Sequence, residues 1–191
     1  MYGVDIVEKI LVLGKNNLIA RKLIIMLERN NFDVVTIDEK NLSDKNSYTK
    51  YLSNVEIIYS FLGPMDVDLY FEALFESIND CRINLRKFIM CSTAGVDKEL
   101  ENPIDYPKVK DVKEYLNEQR YAIKIVDEYE IPYTILRPVE LVENTFGKTY
   151  LYEEGQLMPA GKVSTAAVAK VAYDALQHHK YNNASIGIVE K

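Results

Sequence analysis

The chain has 191 residues, 48% of them apolar and 27% charged, which is the composition of one globular domain with a sizeable hydrophobic core. Its formal charge of −6 argues against nucleic acid as a partner, because phosphate backbones are bound by clustered Lys and Arg side chains. No apolar run approaches the roughly 20 residues that span a bilayer, and residues 1–8 lack the basic start of a signal peptide, so we expect a cytoplasmic protein without membrane contact.

Strand-like and helix-like segments alternate along the chain. The strand-like segments are short apolar runs at Lys9–Leu13, Asp33–Ile37, Glu56–Leu62, Lys87–Cys91, Tyr133–Leu136 and Ser185–Val189. Between the first two, Leu18–Asn31 carries apolar residues four apart on one face, as a crossover helix does. Continuously apolar strands are typical of a parallel sheet with helices on both faces. The sequence therefore predicts one α/β domain over residues 1–191, with a doubly wound, mostly parallel sheet of the Rossmann type.

The first predicted strand leads into a turn that favours a dinucleotide. Gly14 begins the segment GKNNLIA, where a glycine permits a tight turn and the following helix directs its N-terminus at a pyrophosphate. The residues expected to meet the cofactor at this turn are Gly14, Asn16, Asn17, Leu18 and Ile19. Asp38 follows Gly14 by 24 residues, near the spacing of about 20 for an acid that binds an adenosine ribose, and would favour NAD over NADP.

A purely structural interpretation of the same residues stays open. Gly14 then serves only the turn between strand and helix, and Asn16 or Asn17 caps the helix. Asp38 is then a solvated turn residue beside charged neighbours. Under this interpretation the turn binds no ligand.

Four further motifs follow the later predicted elements. They are Phe61-Leu62-Gly63-Pro64, Cys91-Ser92-Thr93-Ala94-Gly95, the run Ile131–Pro138 with the sequence IPYTILRP, and Val163-Ser164 at the start of a late helix that runs to Leu176. Together with the turn at Gly14, they resemble the atypical, NmrA-like short-chain dehydrogenase/reductases, bacterial NAD(P)-binding proteins whose turn reads G-x-x-G-x-x-G. The resemblance covers nearly the whole chain. It implies NAD or NADP as cofactor, held in part by Leu62, Gly63, Ser92 and Pro138.

Two of the three family glycines are absent from the turn, because Asn17 and Ala20 stand in their places. Ala20 is a mild change, since a methyl group often fits between the helix and the strand. Asn tolerates a left-handed backbone, but the Asn17 side chain occupies space where a pyrophosphate would meet bare backbone. The sequence therefore predicts weakened or shifted cofactor binding.

The resemblance also implies a catalytic serine and a Tyr-x-x-x-Lys pair, in which the lysine lowers the pKa of the tyrosine. Ser92 matches the serine, and the pair falls on Tyr115 and Gln119, so that a neutral amide replaces the cation. We expect the pKa of Tyr115 to stay near the usual value of about 10, which makes its phenol a donor and a poor base at pH 7. Tyr-x-x-x-Gln, with Ser185-Ile186-Gly187 near the C-terminus, resembles a subgroup from low-GC Gram-positive bacteria.

The alternative interpretation gives these residues structural roles. Tyr115 is then a surface residue on an amphipathic helix, and the hydroxyls of Ser92 and Thr93 bond to the backbone at the strand end. Tyr106 and Lys110 have the spacing of the catalytic pair, but a proline between them indicates a loop.

Several other polar residues receive weaker predictions. Lys124 falls on the opposite side of the Tyr115 helix and does not replace the missing cation. Arg137 either orients a substrate or fixes the end of the fifth strand. The remaining candidates are expected to be inert: His178 and His179 as a solvated pair rather than metal ligands, and Cys81 and Cys91 as buried thiols.

Two functions remain open for the chain. The first is an NAD(P)H-dependent oxidoreductase that transfers a hydride to a small planar acceptor such as a flavin or quinone, since reduction of such rings depends on positioning more than on a protein base. The second is a noncatalytic NAD(P)-binding sensor or partner-binding protein. Residues 139–163 are the predicted substrate-side loop. An open pocket beside Ser92, Tyr115 and Pro138 favours the first function, and a pocket filled by the loop aromatics Phe146, Tyr150 or Tyr152 favours the second. A homodimer stays open for either.

Overall fold

A computed structural model describes residues 8–37, 40–144, 147–177 and 180–191. Its elements follow in the order β1 (Lys9–Leu13), α1 (Leu18–Arg29), β2 (Asp33–Thr36), α2 (Asn46–Thr49), β3 (Val55–Ser60), α3 (Val67–Asp80), β4 (Lys87–Cys91), α4 (Val112–Glu128), β5 (Tyr133–Pro138), β6 (Glu140–Val142), β7 (Thr149–Tyr152), β8 (Lys162–Ser164), α5 (Thr165–Asp174) and β9 (Ala184–Glu190). The strands build one sheet and the helices cover both of its faces. The predicted single α/β domain is confirmed.

Six parallel strands form the body of the sheet, in the order β2-β1-β3-β4-β5-β9. They are the six strands predicted from the sequence, shifted by no more than one or two residues at their ends. β1 has β2 on one side and β3 on the other, so the direction of winding reverses there. In open α/β sheets, ligands bind outside the carboxyl ends of the strands at such a switch point.

Alternate residues of the central strands enter two separate cores. Ile10 and Val12 of β1 pack in the core shared with α1 and α5, whereas Leu11 and Leu13 pack in the core shared with α3 and α4. Both faces of the sheet are therefore apolar. This arrangement explains why the strands occur in the sequence as continuous apolar runs rather than as alternating patterns.

Residues 139–163, predicted to be a loop, contain three short strands that widen the sheet beyond β9. β7 pairs antiparallel with β9, β8 meets the end of β9, and β6 pairs with β8. Of the described residues in this segment, Val139, Glu140 and Leu141 line the cleft that is the candidate site. The substrate-side role of the segment stays a prediction.

The late helix begins as its sequence predicts. Ser164 caps α5, because its Oγ accepts a hydrogen bond of 3.1 Å from the backbone N–H of Ala167. α5 ends at Asp174, two residues before the predicted end. Among the helices of the described residues, none is both long enough and apolar enough to cross a membrane.

Candidate functional site

The turn after β1 has a geometry that requires glycine. Gly14 has a φ of 76°, in the left-handed region that residues with side chains avoid. A Cβ atom on Gly14 would lie 2.5 Å from the carbonyl oxygen of Phe61, the residue after β3. The backbones that leave β1 and β3 are therefore in contact at the switch point, and a side chain on Gly14 would force them apart.

Helix α1 begins beside this turn and is capped by Asn17. The Oδ1 atom of Asn17 accepts a hydrogen bond of 2.8 Å from the backbone N–H of Ile19. Its backbone is extended, with a φ of −65°, so the left-handed conformation that Asn tolerates is not used. The alternative in which an asparagine caps the helix is confirmed for Asn17. Its side-chain oxygen takes an N–H that would otherwise face a phosphate oxygen at the helix N-terminus.

A cleft of about 430 Å³ opens beyond the carboxyl ends of β3, β4 and β5, next to the start of α1. Eight of the residues predicted for the site line it: Asn17, Ile19, Leu62, Gly63, Ser92, Tyr115, Gln119 and Pro138. Gly14 shapes the turn next to the cleft without lining it. Asn16 and Leu18 are exposed to solvent and also lie outside the lining. Asp38 lies outside the described residues.

Tyr115 stands in the wall of the cleft, where 9% of its surface is exposed. Its interpretation as a surface residue is therefore wrong. Burial raises the pKa of Tyr115 to about 12, and the side chain of Thr93 lowers it only in part. The value near 10 expected from the sequence is too low, because the sequence reveals the missing lysine but not the burial of the phenol. The phenol is protonated at pH 7 and can donate a hydrogen bond.

Ser92 and Gln119 are bonded to each other in this wall. Ser92 Oγ donates to Gln119 Oε1 over 2.8 Å, and Gln119 Nε2 donates to the carbonyl oxygen of Pro64 over 3.4 Å. Both residues are buried. The interpretation of Ser92 as a hydroxyl that bonds to backbone is wrong, whereas it is confirmed for Thr93, which donates to the carbonyl oxygen of Ala94. The amide that replaces the expected lysine therefore holds the serine.

Another wall of the cleft is one that the sequence did not predict. It consists of Ile104–Val109, the irregular stretch before α4. The hydroxyl of Tyr106 donates to the carbonyl oxygen of Ala94 over 2.9 Å, and its ring lies 5.5 Å from that of Tyr115, edge to face. These contacts favour a supporting role for Tyr106 over a catalytic pair with Lys110. The available signal was Pro107 within this stretch and Pro103 directly before it, since proline restricts the backbone.

Arg137 fixes the end of β5. Its guanidinium is fully buried, pairs with the Glu99 carboxylate over 2.6 Å, and donates to the carbonyl oxygen of Ser185 over 3.2 Å. Glu99 also accepts hydrogen bonds from the backbone N–H groups of Gly95 and Asp97. The pair thus ties the loop after β4 to β5. Of the two predicted roles, the structure supports the structural one, because the guanidinium has no exposed surface for a substrate.

The remaining candidates do not add to the site. Cys81 and Cys91 are free thiols and are partly exposed, whereas buried thiols were predicted. Burial raises the pKa of Cys91 to about 12, so its thiol stays protonated and unreactive in the cleft wall, as expected. Tyr150 and Tyr152 lie outside the lining and do not fill the cleft. His178, His179 and Phe146 lie outside the described residues. Within the part of the chain that the structure describes, no group of three or more potential metal ligands occurs.

The arrangement fits a nicotinamide dinucleotide. The bare backbone of Gly14, the start of α1 and the cleft meet at the switch point, which is where such a cofactor places its pyrophosphate. Asn17 competes for the phosphate position without closing the cleft. The residues present are therefore compatible with the cofactor, at an affinity reduced by the Asn17 cap.

Comparisons with known proteins agree with this geometry. A family described as NAD(P)H-binding matches residues 19–179, and no curated protein matches the chain. A short-chain dehydrogenase/reductase from Veillonella parvula, solved in complex with NADP, is 21% identical with a TM-score of 0.77, over 96% of this chain and 94% of that one. A Rossmann-fold NAD(P)-binding protein from Shigella flexneri is 19% identical with a TM-score of 0.77, over 96% and 93%. A candidate NADH-flavin reductase from Streptococcus pneumoniae is 17% identical with a TM-score of 0.69, over 96% and 100%.

At these identities the solved structures establish the shared fold alone, and they confirm the Rossmann-type sheet. The family match confirms the predicted resemblance to NAD(P)-binding proteins. The Gram-positive subgroup stays a prediction.

Proposed function

Because the chain belongs to the NAD(P)H-binding family, we propose that it is an NAD(P)H-dependent oxidoreductase whose acceptor is a small planar molecule of the flavin or quinone type. The observation that carries the proposal is the open cleft at the switch point, which is lined by Ser92, Tyr115 and Gln119 together with the start of α1. An open cleft leaves Ser92, Tyr115 and Gln119 accessible to an acceptor. A cleft filled by aromatic side chains would have favoured a sensor.

We assign the cleft a phosphate end and a reaction end. In this proposal the backbone of residues 14–19 receives the pyrophosphate at the N-terminus of α1. Leu62 and Pro138 border the reaction end next to Ser92, where the nicotinamide ring would lie. When bound, the cofactor supplies a hydride to the acceptor and becomes NAD(P)⁺. The reduced acceptor takes its proton from water. Asp38 favours NAD over NADP in this proposal.

The proposed acceptor type follows from the protonation state of Tyr115. No cation is among the groups that shift its pKa, and burial raises that pKa to about 12. The phenol therefore stays protonated at neutral pH and does not serve as a base. A flavin or quinone ring tolerates this arrangement, because its reduction depends mainly on the distance and orientation between two stacked rings.

One observation favours the noncatalytic alternative. Asn17 already satisfies the N–H of Ile19, so a dinucleotide must displace this side chain to reach the helix N-terminus. The competition weakens binding, and weak binding suits a sensor whose occupancy follows the cofactor concentration. Both functions share the cofactor site and differ in whether an acceptor is reduced.

Titration with NADH and NADPH tests the cofactor site. We expect the melting temperature to rise with ligand concentration, since a ligand that binds only the native state stabilises it. Asn17→Asp is the matched negative variant: an aspartate keeps the helix cap but places a carboxylate against the phosphates, so the variant should fold and lose binding. An unchanged melting temperature at millimolar NADH and NADPH would contradict the proposal.

Cofactor oxidation in the presence of a flavin or a quinone then separates the oxidoreductase from the sensor. The wild-type chain should oxidise the bound cofactor with at least one of the two acceptors, and Asn17→Asp should do so at least about 10-fold more slowly, which is the effect of about 1.4 kcal/mol in binding. Saturable binding of NADH or NADPH without oxidation by either acceptor would favour the sensor.

A further inference from the structure

The hydrogen bonds of Gln119 fix the direction of the Ser92 hydroxyl. Pro64 presents a carbonyl oxygen, which can only accept, so the amide NH₂ group of Gln119 must face it across 3.4 Å. The amide oxygen Oε1 consequently faces Ser92, 2.8 Å away, and it too can only accept. The single hydroxyl proton of Ser92 is therefore committed to Gln119.

Ser92 thus presents lone pairs rather than a proton to the cleft. A serine oxygen that donates its proton keeps two acceptor sites, and no hydrogen bond within the described structure is directed at them. Tyr115 lines the same cleft with the opposite polarity. Its phenol is protonated, and the Thr93 side chain lowers the pKa of that phenol as a donor to its oxygen does, which leaves the phenol proton for a ligand. The reaction end of the cleft therefore offers a ligand one acceptor and one donor. It does not offer the two donors that would hold a single carbonyl oxygen from both sides.

We propose that the acceptor is recognised by an amide edge, in which a ring N–H donates to Ser92 Oγ and the neighbouring ring carbonyl accepts from the Tyr115 hydroxyl. This inference rests on the proposed function and narrows it to flavins. The pyrimidine ring of a flavin carries an N–H between two carbonyl groups, whereas a quinone carries carbonyl oxygens alone. A quinone oxygen beside Ser92 would meet lone pairs and leave a buried acceptor unsatisfied. Gln119 is a positioning residue, since it acts on the ligand through Ser92.

Lumiflavin and 3-methyllumiflavin test the inference, because they differ only in a methyl group that replaces the proton of the ring N–H. Binding is measured by the quenching of flavin fluorescence, with and without NAD⁺, so that the readout does not depend on turnover. For the wild-type chain we expect the Kd of 3-methyllumiflavin to exceed that of lumiflavin by about 10-fold or more, as one unmade hydrogen bond to a buried acceptor predicts.

Substitutions at Ser92 separate the hydrogen bond from a steric effect of the methyl group. Ser92→Ala should raise the Kd of lumiflavin by about 10-fold and leave the Kd of 3-methyllumiflavin unchanged. If the methyl group acted only through its size, the same substitution would lower the Kd of 3-methyllumiflavin and leave the Kd of lumiflavin unchanged. Ser185→Ala is the matched control, because Ser185 is a buried serine outside the cleft whose hydroxyl has no partner within the described structure. It should keep the wild-type ratio.

Gln119→Leu tests the positioning role. The substitution frees the Ser92 proton, so that Ser92 can turn and donate to a carbonyl oxygen. We expect the affinity for the quinone menadione to rise relative to lumiflavin, measured as the ratio of the two Kd values. If the substitution only destabilised the fold, both ligands would bind more weakly and the ratio of their Kd values would not change.

The outcomes distinguish the inference from the proposed function. Equal wild-type affinity for the two flavins, or unchanged lumiflavin binding in Ser92→Ala, overturns the amide edge even if NADH reduces both flavins. If NADH binds but neither lumiflavin nor menadione binds or is reduced, the acceptor class of the proposed function is itself wrong, and the amide edge is wrong with it.

Discussion

At the start of α1, Asn17 competes with any pyrophosphate for the backbone N–H of Ile19. Asn17→Gly removes the competitor and restores the second glycine of the G-x-x-G-x-x-G turn that the sequence resembles. A glycine cap costs only a few tenths of a kcal/mol of stability, whereas one additional hydrogen bond to the ligand contributes about 1 kcal/mol, or roughly fivefold in affinity. We therefore expect tighter binding of NADH or NADPH at nearly unchanged melting temperature, measured by titration calorimetry. Equal or weaker binding would show that Asn17 does not occupy the phosphate position.

Tyr115 gives the proposed reaction a characteristic pH dependence. Because burial raises its pKa to about 12, the phenol stays protonated and does not titrate between pH 6 and 9. The rate of flavin reduction should consequently show no inflection from Tyr115 in that range, and Tyr115→Phe should be slower with an unchanged pH profile. The measurement is the steady-state rate of both proteins against pH. An inflection present in the wild-type chain and absent from Tyr115→Phe would contradict the protonated phenol.

Lys87 is a buried cation at the start of β4, at the opposite end of the strands from the cleft. Its Nζ donates to the carbonyl oxygen of Lys180 and to Oδ1 of Asn182, each over 2.7 Å. Burial, with the nearby charge of Arg86, lowers the pKa of Lys87 from 10.5 to about 8. Between these two values the unfolded chain binds more protons than the folded chain. The stability contribution of Lys87 therefore rises with pH in that window, and its penalty is fully present below pH 8.

Lys87→Met removes this dependence. Urea unfolding of the wild type and the variant at pH 7 and at about pH 9.5 isolates the effect, since the other titrating groups are common to both chains. We expect the free energy of unfolding of the wild type to increase relative to that of Lys87→Met at the higher pH. A difference between the two proteins that does not change with pH would show that the pKa of Lys87 is not lowered.

At the scale of elements, the buried pair of Arg137 and Glu99 joins the end of β5 to the loop that carries the cleft residues after β4. Arg137→Met leaves the Glu99 carboxylate buried without its cation, so we expect a loss of about 3–5 kcal/mol in the free energy of unfolding. Lys124→Met is the control, because the exposed pair of Lys124 and Glu128 contributes at most about 1 kcal/mol. Urea unfolding at neutral pH measures both. Similar small losses for the two variants would contradict the structural role of Arg137.

The elements that the sequence predicts are those with a strong local pattern. β1, β3, β4 and β5 are buried on both faces, so each is a continuous apolar run bounded by turn residues. β6, β7 and β8 have only three or four residues, and their pairing with β9 and with one another depends on partners far along the chain. The cleft wall at Ile104–Val109 has no periodicity at all. Its contribution depends on where the chain passes between β4 and α4, which a single sequence does not encode locally.

At the scale of the whole molecule, the winding order of the sheet assembles the candidate site. Parallel strands end at one edge, so the turns after β1, β3, β4 and β5 converge there, and a residue predicted at one strand end lies near the others. This is why six of the eight predicted site residues in the cleft meet there, while the other two, Tyr115 and Gln119, come from α4. The polarity of Ser92 was not predictable, since it depends on Gln119 and Pro64, which lie 27 and 28 residues from Ser92 in opposite directions along the chain.

One experiment tests the proposed reaction most directly: anaerobic mixing of the protein with NADH or NADPH and lumiflavin, with cofactor oxidation and flavin bleaching recorded together. The proposed function predicts that both signals change in equal amounts, at a rate proportional to protein concentration. It also predicts that Asn17→Asp slows both signals alike. Rates no faster than those in a protein-free mixture, although the cofactor is bound, would contradict the oxidoreductase and leave an NAD(P)H-binding protein without this chemistry.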